Sequence, residues 1–103
     1  MRVIVFYDLP TLSSRERSEH HRFRKFLRRE GFIMMQESVY SKITLNAGAA
    51  NLLKNRIKKN VPKIGLVQLM TITEKQYADI EYLVGNPNCN TDTLNSTSRL
   101  VVF

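Results

Sequence analysis

Asp8 is the residue of this chain best placed to do chemistry. It closes the apolar run Val3–Tyr7. Pro10 then stops the strand and biases Leu9 toward extended backbone. An aspartate where a hydrophobic strand leaves its sheet has two readings. It caps a turn through its own side chain, or it serves as a ligand in a catalytic site. By parity Asp8 shares a strand face with Ile4 and Phe6. If that face meets a second copy across a two-fold axis, two Asp8 carboxylates approach each other. Left bare they repel, and one takes up a proton. A hard divalent cation such as Mg²⁺ would keep both ionised. It could then polarise a phosphodiester and activate water.

The second chemical signal is positive charge. Arg15, Arg17, Arg22, Arg24, Lys25, Arg28 and Arg29 crowd one segment, against only Glu16, Glu19 and Glu30. A later segment adds Lys54, Arg56, Lys58 and Lys59, with Lys63 just beyond. The formal net charge is +7 and the pI is near 9.9. That balance favours an acidic partner, most simply a nucleic-acid backbone. A solvated helix face is the plainer reading of either segment by itself.

Other constellations are thin. His20 and His21 are neighbours and point apart on a helix. Glu16 and His20, four residues apart, form a weak zinc pair without further ligands. Cys89 is the only cysteine, so no internal disulfide can form, which fits a reducing cytoplasm. No cofactor-binding motif, glycine-rich phosphate loop or Ser/His/Asp arrangement is legible. The Gly-aromatic signature of RNA-recognition motifs is missing too, so Phe6, Tyr7 and Tyr40 read as core or dimer-interface residues.

These residues need elements to position them. Arg2–Asp8 reads as a strand and Leu9–Ser13 as a loop. Ser13 and Glu16 have capping-box spacing, so a helix should run from there to about Glu30 and stop at Gly31. His20, Phe23, Phe26 and Leu27 form its buried stripe. Phe32–Leu45 is too long for one strand and divides near Glu37–Ser38. Asn46 caps a helix over Ala47–Lys59, with Leu52, Leu53 and Ile57 turned inward. Ile64–Ile72 is a strong strand. Thr73 and Gln76 form another capping box opening a turn or short helix, and Ile80–Val84 reads as a brief strand. Gly85–Ser98 is polar and turn-rich, an exposed loop, and Arg99–Phe103 is a C-terminal strand.

The chain of 103 residues is expected to form one domain. No apolar run is long enough for a bilayer, and the N-terminus lacks a signal-peptide layout. The element order points to an α+β, ferredoxin-like βαββαβ sandwich with an extra C-terminal strand. Two helices cover one face of such a sheet. Yet Arg2–Asp8 and Ile64–Ile72 are apolar on both faces, which calls for a homodimer.

"VIVFYDLP", the arginine-rich helix and "RFRKFLRREGFIMMQESVYSKI" resemble the Cas2 family of small CRISPR-associated adaptation proteins. The second segment is most similar to the version in type II, Cas9-containing systems. The resemblance spans nearly the whole chain. It implies a ferredoxin-like homodimer that works beside the Cas1 integrase, captures short foreign DNA as spacers and binds duplex DNA. It also implies a metal-dependent endonuclease acting on RNA or duplex DNA, with the metal-binding aspartate at Asp8. Ser38 and Tyr40 fall where many members carry a serine and an aromatic. Ser41 and Lys42 stand where many relatives have an acidic and then a small residue, a departure in that loop. A toxin-like messenger-RNA ribonuclease of the same fold would share Asp8. A small-anion regulatory module is a third reading, with no salt-dependent affinity for long nucleic acid.

Overall fold

The structure is a computed structural model that describes residues 1–85. The expected Arg99–Phe103 strand and nearly all of the Gly85–Ser98 loop lie outside the described residues. In chain order the elements are β1 (Arg2–Asp8), α1 (Ser14–Arg29), β2 (Ile33–Gln36), β3 (Val39–Ile43), α2 (Ala47–Asn60), β4 (Leu66–Ile72) and α3 (Glu74–Ala78). The four strands form one sheet in the order β2-β3-β1-β4, and every described pair is antiparallel. This is the ferredoxin-like arrangement, with β1 in the interior of the sheet.

Local chemistry sets the helix ends. The Ser13 hydroxyl accepts from the Glu16 amide at 3.1 Å, and the Glu16 carboxylate accepts from the Ser13 amide at 2.9 Å. α1 ends in a Schellman turn. Gly31 adopts φ +94°, its N–H reaches the Arg28 carbonyl, and the Phe32 N–H reaches the Leu27 carbonyl. Asn46 caps α2 by accepting from the Ala49 amide at 2.8 Å. Thr73 and Gln76 form the expected capping box on α3.

The core lies between the sheet and the first two helices. Val3, Val5 and Tyr7 from β1 meet Phe23, Phe26 and Leu27 of α1 and Ala50, Leu53 and Ile57 of α2. Val67 and Leu69 of β4 pack against this cluster. His20 joins the stripe only at its edge, half-buried, with its ring edge-on to Tyr7. Leu52 does not turn inward and is 63% exposed. It is rotated about 100° from Leu53 on the helix, and Ala50 takes the place in the row that meets the sheet.

The opposite face departs further from expectation. Ile80–Val84 forms no strand. Instead α3 and the segment after it lie against the second face of the sheet. Arg2 fastens α3 there. Its guanidinium donates twice to Glu74, at 2.8 and 3.1 Å, and stacks 3.8 Å above the Tyr77 ring. An ion pair and a cation–π contact thus share one side chain. Ile4 and Ser41 become buried on this face, whereas Leu66, Met70, Ile33 and Ile43 stay exposed. A shallow apolar depression of about 540 Å³ remains, lined by residues that include Ile4, Phe6, Val39, Met70 and Ile72.

The β1 end is sealed by Gly65, at φ +92°. A Cβ there would fall 2.7 Å from Leu9 Cδ2 and 2.9 Å from the Asp8 carbonyl oxygen. Gly65→Ala therefore meets both a left-handed backbone and a clash. It should lower unfolding free energy by about 2 kcal/mol or more, read from denaturant midpoints against wild type.

Candidate active site and basic surfaces

Asp8 is the last residue of β1 and lies opposite Leu66 in the β1–β4 register. Alternation puts it on the second face with Ile4 and Phe6, as parity required. It is exposed. Its carboxylate has no hydrogen bond or ion pair among the described residues, so the turn-capping reading fails. The carboxylate is free to act on something outside the fold.

Its surroundings are rigid. Tyr7 before it is buried in the core, and Leu9 after it is buried as well. The Tyr7 amide donates to the Ser38 carbonyl at 3.0 Å, which ties the end of β1 to the β2–β3 turn. Ser38 takes φ +65° in that turn, and the β2–β3 register is irregular between Met34 and Gln36. The turn therefore carries Glu37, an exposed acid, to the same end of the sheet as Asp8. Sequence reasoning placed the turn but not this second carboxylate. The pairing of Phe6 with Val39 and the Tyr7–Ser38 hydrogen bond bring it there.

Tyr7 and Tyr40 stack with centroids 6.1 Å apart, and Phe23 meets Tyr7 edge-on. Tyr40 is buried, as expected of a core residue. Burial holds the Tyr7 phenol well above the usual tyrosine range, and the Tyr40 phenol beside it adds to the effect.

The cations do not form one uniform face. Positions 15 and 22 of α1 turn toward α2. There Arg15, Arg22, Lys59 and Lys63 share a groove of about 650 Å³ with Glu16 and Glu19. Arg22 binds Glu19 at 2.9 Å and reaches the Asn60 carbonyl at 3.5 Å. That hydrogen bond holds the Glu19 carboxyl below its ordinary range, and the charges of Arg15 and Lys63 pull the same way. Arg17, Arg24 and Arg28 recur at seven and four residues and form a row on the other flank of α1. Arg24 is half-buried there. Lys25 and Arg29 are exposed on the outer crest, and Lys58 is exposed in the last turn of α2. Arg56 is engaged by Glu30 at 3.0 Å.

No group of three or more His, Cys, Asp or Glu residues among those described could hold a metal ion. At this end of the sheet one copy offers Asp8, with Glu37 in the neighbouring turn.

The model of the family described as CRISPR associated protein Cas2 matches residues 1–80. The chain belongs to the Cas2 family. It is 48% identical over 103 residues to the CRISPR-associated endoribonuclease Cas2 of Treponema denticola, covering all of both chains. It is 50% identical over 101 residues to the protein of that name from Streptococcus mutans, which covers 98% of this chain and 91% of the relative. Among solved structures, Streptococcus pyogenes Cas2 at pH 6.5 superposes with a TM-score of 0.61 at 19% identity, over 82% of this chain and all of that one. At that identity the likeness speaks for the fold alone. No helix among the described residues is long and apolar enough to cross a membrane.

The Tyr7 environment makes a pH prediction. A phenol whose folded pKa lies above its unfolded value binds its proton more tightly in the folded state. The stabilisation is complete below the unfolded value of about 10 and is lost progressively as pH rises from there toward the higher folded value. Urea midpoints of wild type should fall above about pH 10 more steeply than those of Tyr7→Phe. Parallel curves would remove Tyr7 from that account.

Proposed function

We propose that this protein is a CRISPR adaptation subunit with endonuclease activity centred on Asp8. Two copies pack through their apolar sheet faces, and the dimer bridges Cas1 integrase dimers while holding duplex DNA. The observation that carries this reading is an unpartnered carboxylate at the rim of an apolar face that the chain itself only partly covers. Packing a second copy on that face removes exposed Leu66 and Met70 from water. It also sets one Asp8 against another.

That pairing answers the poverty of ligands in one copy. Asp8 is acidic, exposed and unbonded, so it suits a hard cation, and the two-fold doubles it. Bound there, Mg²⁺ would supply Lewis-acid polarisation of a phosphodiester and an activated water. The protein's own part is to orient the carboxylates. β-pairing to Leu66, the buried Leu9 and the close approach of Gly65 fix the backbone that bears Asp8. The relatives are named endoribonucleases, which supports RNA as the substrate for cleavage. The cations of α1 and α2 support backbone binding without sequence reading. The family match favours the CRISPR setting over a toxin-like messenger-RNA ribonuclease or a small-anion module.

Asp8→Ala should reduce Mg²⁺-dependent RNA cleavage by about a hundredfold or more, and leave duplex affinity within about twofold. Gel-resolved cleavage with Mg²⁺ or EDTA, run beside a binding titration, reads both. Retained cleavage with lost binding would sink the metal role. Capture by the Cas1 integrase, compared for wild type and Asp8→Ala, separates bridging from hydrolysis.

Reversing Arg24 and Arg28 to glutamate tests the flank row. Duplex binding should weaken for every sequence, and the salt slope should shrink by about one or two counterions. An unchanged salt titration would leave DNA to the groove and crest cations.

A further inference from the structure

The groove between α1 and α2 holds more positive charge than its own acids use. Arg15 and Arg22 enter it from α1, Lys59 from the end of α2, and Lys63 from just beyond. Both of its carboxylates are engaged. Glu16 accepts from the Leu12 and Ser13 amides, each at 2.9 Å, and Glu19 accepts from Arg22 at 2.9 Å. Arg22 is fixed further by the Asn60 carbonyl of α2. Arg15, Lys59 and Lys63 are exposed and have no hydrogen bond or ion pair among the described residues. The charges of Arg15 and Lys63 both reach Glu19, one from α1 and one from beyond α2, so these cations converge. The groove also has an apolar side. Val61 and Ile64 line it, 36% and 48% exposed, and neither belongs to the core cluster.

We infer that this groove docks a short segment of a protein partner, one that carries carboxylates on either side of an apolar side chain. Charge complementarity supplies the first half of that description. Three open cations want anionic oxygens, and the acids beside them are already neutralised locally. Val61 and Ile64 supply the second half, since an apolar side chain laid on them leaves water. A nucleic-acid duplex matches the groove less well. It carries a charge about every 1.7 Å and presents its phosphates outward, so it offers Val61 and Ile64 nothing apolar. It would also bring a dense row of phosphates against Glu19. A peptide can space its carboxylates to meet Arg15, Lys59 and Lys63 and turn an apolar residue to the wall. Grooves between packed elements take amphipathic segments in this way. The flank row of Arg17, Arg24 and Arg28 and the crest of Lys25 and Arg29 stay open to a phosphate backbone. One chain can thus hold nucleic acid and a protein together. The docking does not depend on the nuclease reading of Asp8.

Short random peptides displayed on phage are selected on three full-length proteins. These are wild type, a groove variant (Arg15→Ala, Lys59→Ala and Lys63→Ala) and a flank variant (Arg24→Ala and Arg28→Ala). The groove side chains are exposed, so their removal keeps the fold, which circular dichroism checks. Wild type and the flank variant should enrich Asp or Glu on both sides of a Leu, Ile or Phe. The groove variant should lose that pattern. The enriched peptide is then labelled and titrated. The groove variant should bind it about tenfold more weakly, and Ile64→Ser about threefold more weakly. A copy of the peptide with serine at its apolar position should bind wild type and Ile64→Ser equally. Failure to enrich any pattern would overturn the docking. A serine copy that binds wild type as tightly as the original would overturn it too, because the groove would then be a general sink for anions. So would a groove variant that keeps the peptide and loses duplex DNA, which would give the groove to nucleic acid.

Discussion

β1 is hydrogen-bonded along both edges and apolar on both faces, and every other element answers to that constraint. Its edges are satisfied by β3 and β4. One face is covered by α1 and α2 through Val3, Val5 and Tyr7. The other carries Ile4 and Phe6 and ends at Asp8. An interior strand of this kind cannot shift register by one residue without sending its core set to the wrong side. The position of Asp8 is therefore determined by the packing of residues that have no chemistry of their own.

The second face is where fold and function meet. α3, clamped by the Arg2–Glu74–Tyr77 contact, covers part of it and buries Ile4 and Ser41. It leaves an apolar depression continuous with the strand that bears the free carboxylate. An apolar face favours association, and a carboxylate at its rim places charge where association brings it close to its equal. Two such groups are unfavourable alone and favourable around a cation. The same geometry thus couples assembly to metal binding in the proposed site.

Much of this was legible in the residues. Capping boxes at Ser13 and Thr73, the Asn46 cap and Gly31 marked helix ends, because each satisfies orphan backbone groups locally. The two-residue alternation of β1 and β4 gave their faces, and the demand for a covered second face followed. The misreadings were of a different kind. Leu52 looked inward by composition, yet helix phase relative to the sheet chose Ala50. Ile80–Val84 reads as a brief strand, yet it follows α3 across the second face of the sheet, beside Arg2 and Ile4, rather than along an open edge. The basic residues of α1 read as one patch. Three phases on a helix, one of them facing α2, divide them into a groove, a crest and a flank.

What the sequence determined by itself was local: the elements, their caps, the excess of positive charge and the aspartate at a strand end. Those follow from interactions that span a few residues. What only the tertiary structure decided was adjacency. Glu37 reaches the Asp8 end of the sheet because Tyr7 donates to the Ser38 carbonyl. Gly65 is required because a distant backbone passes within contact of its missing side chain. Each of these depends on long-range packing or on the direction of a side chain, and neither is written in the order of residue types.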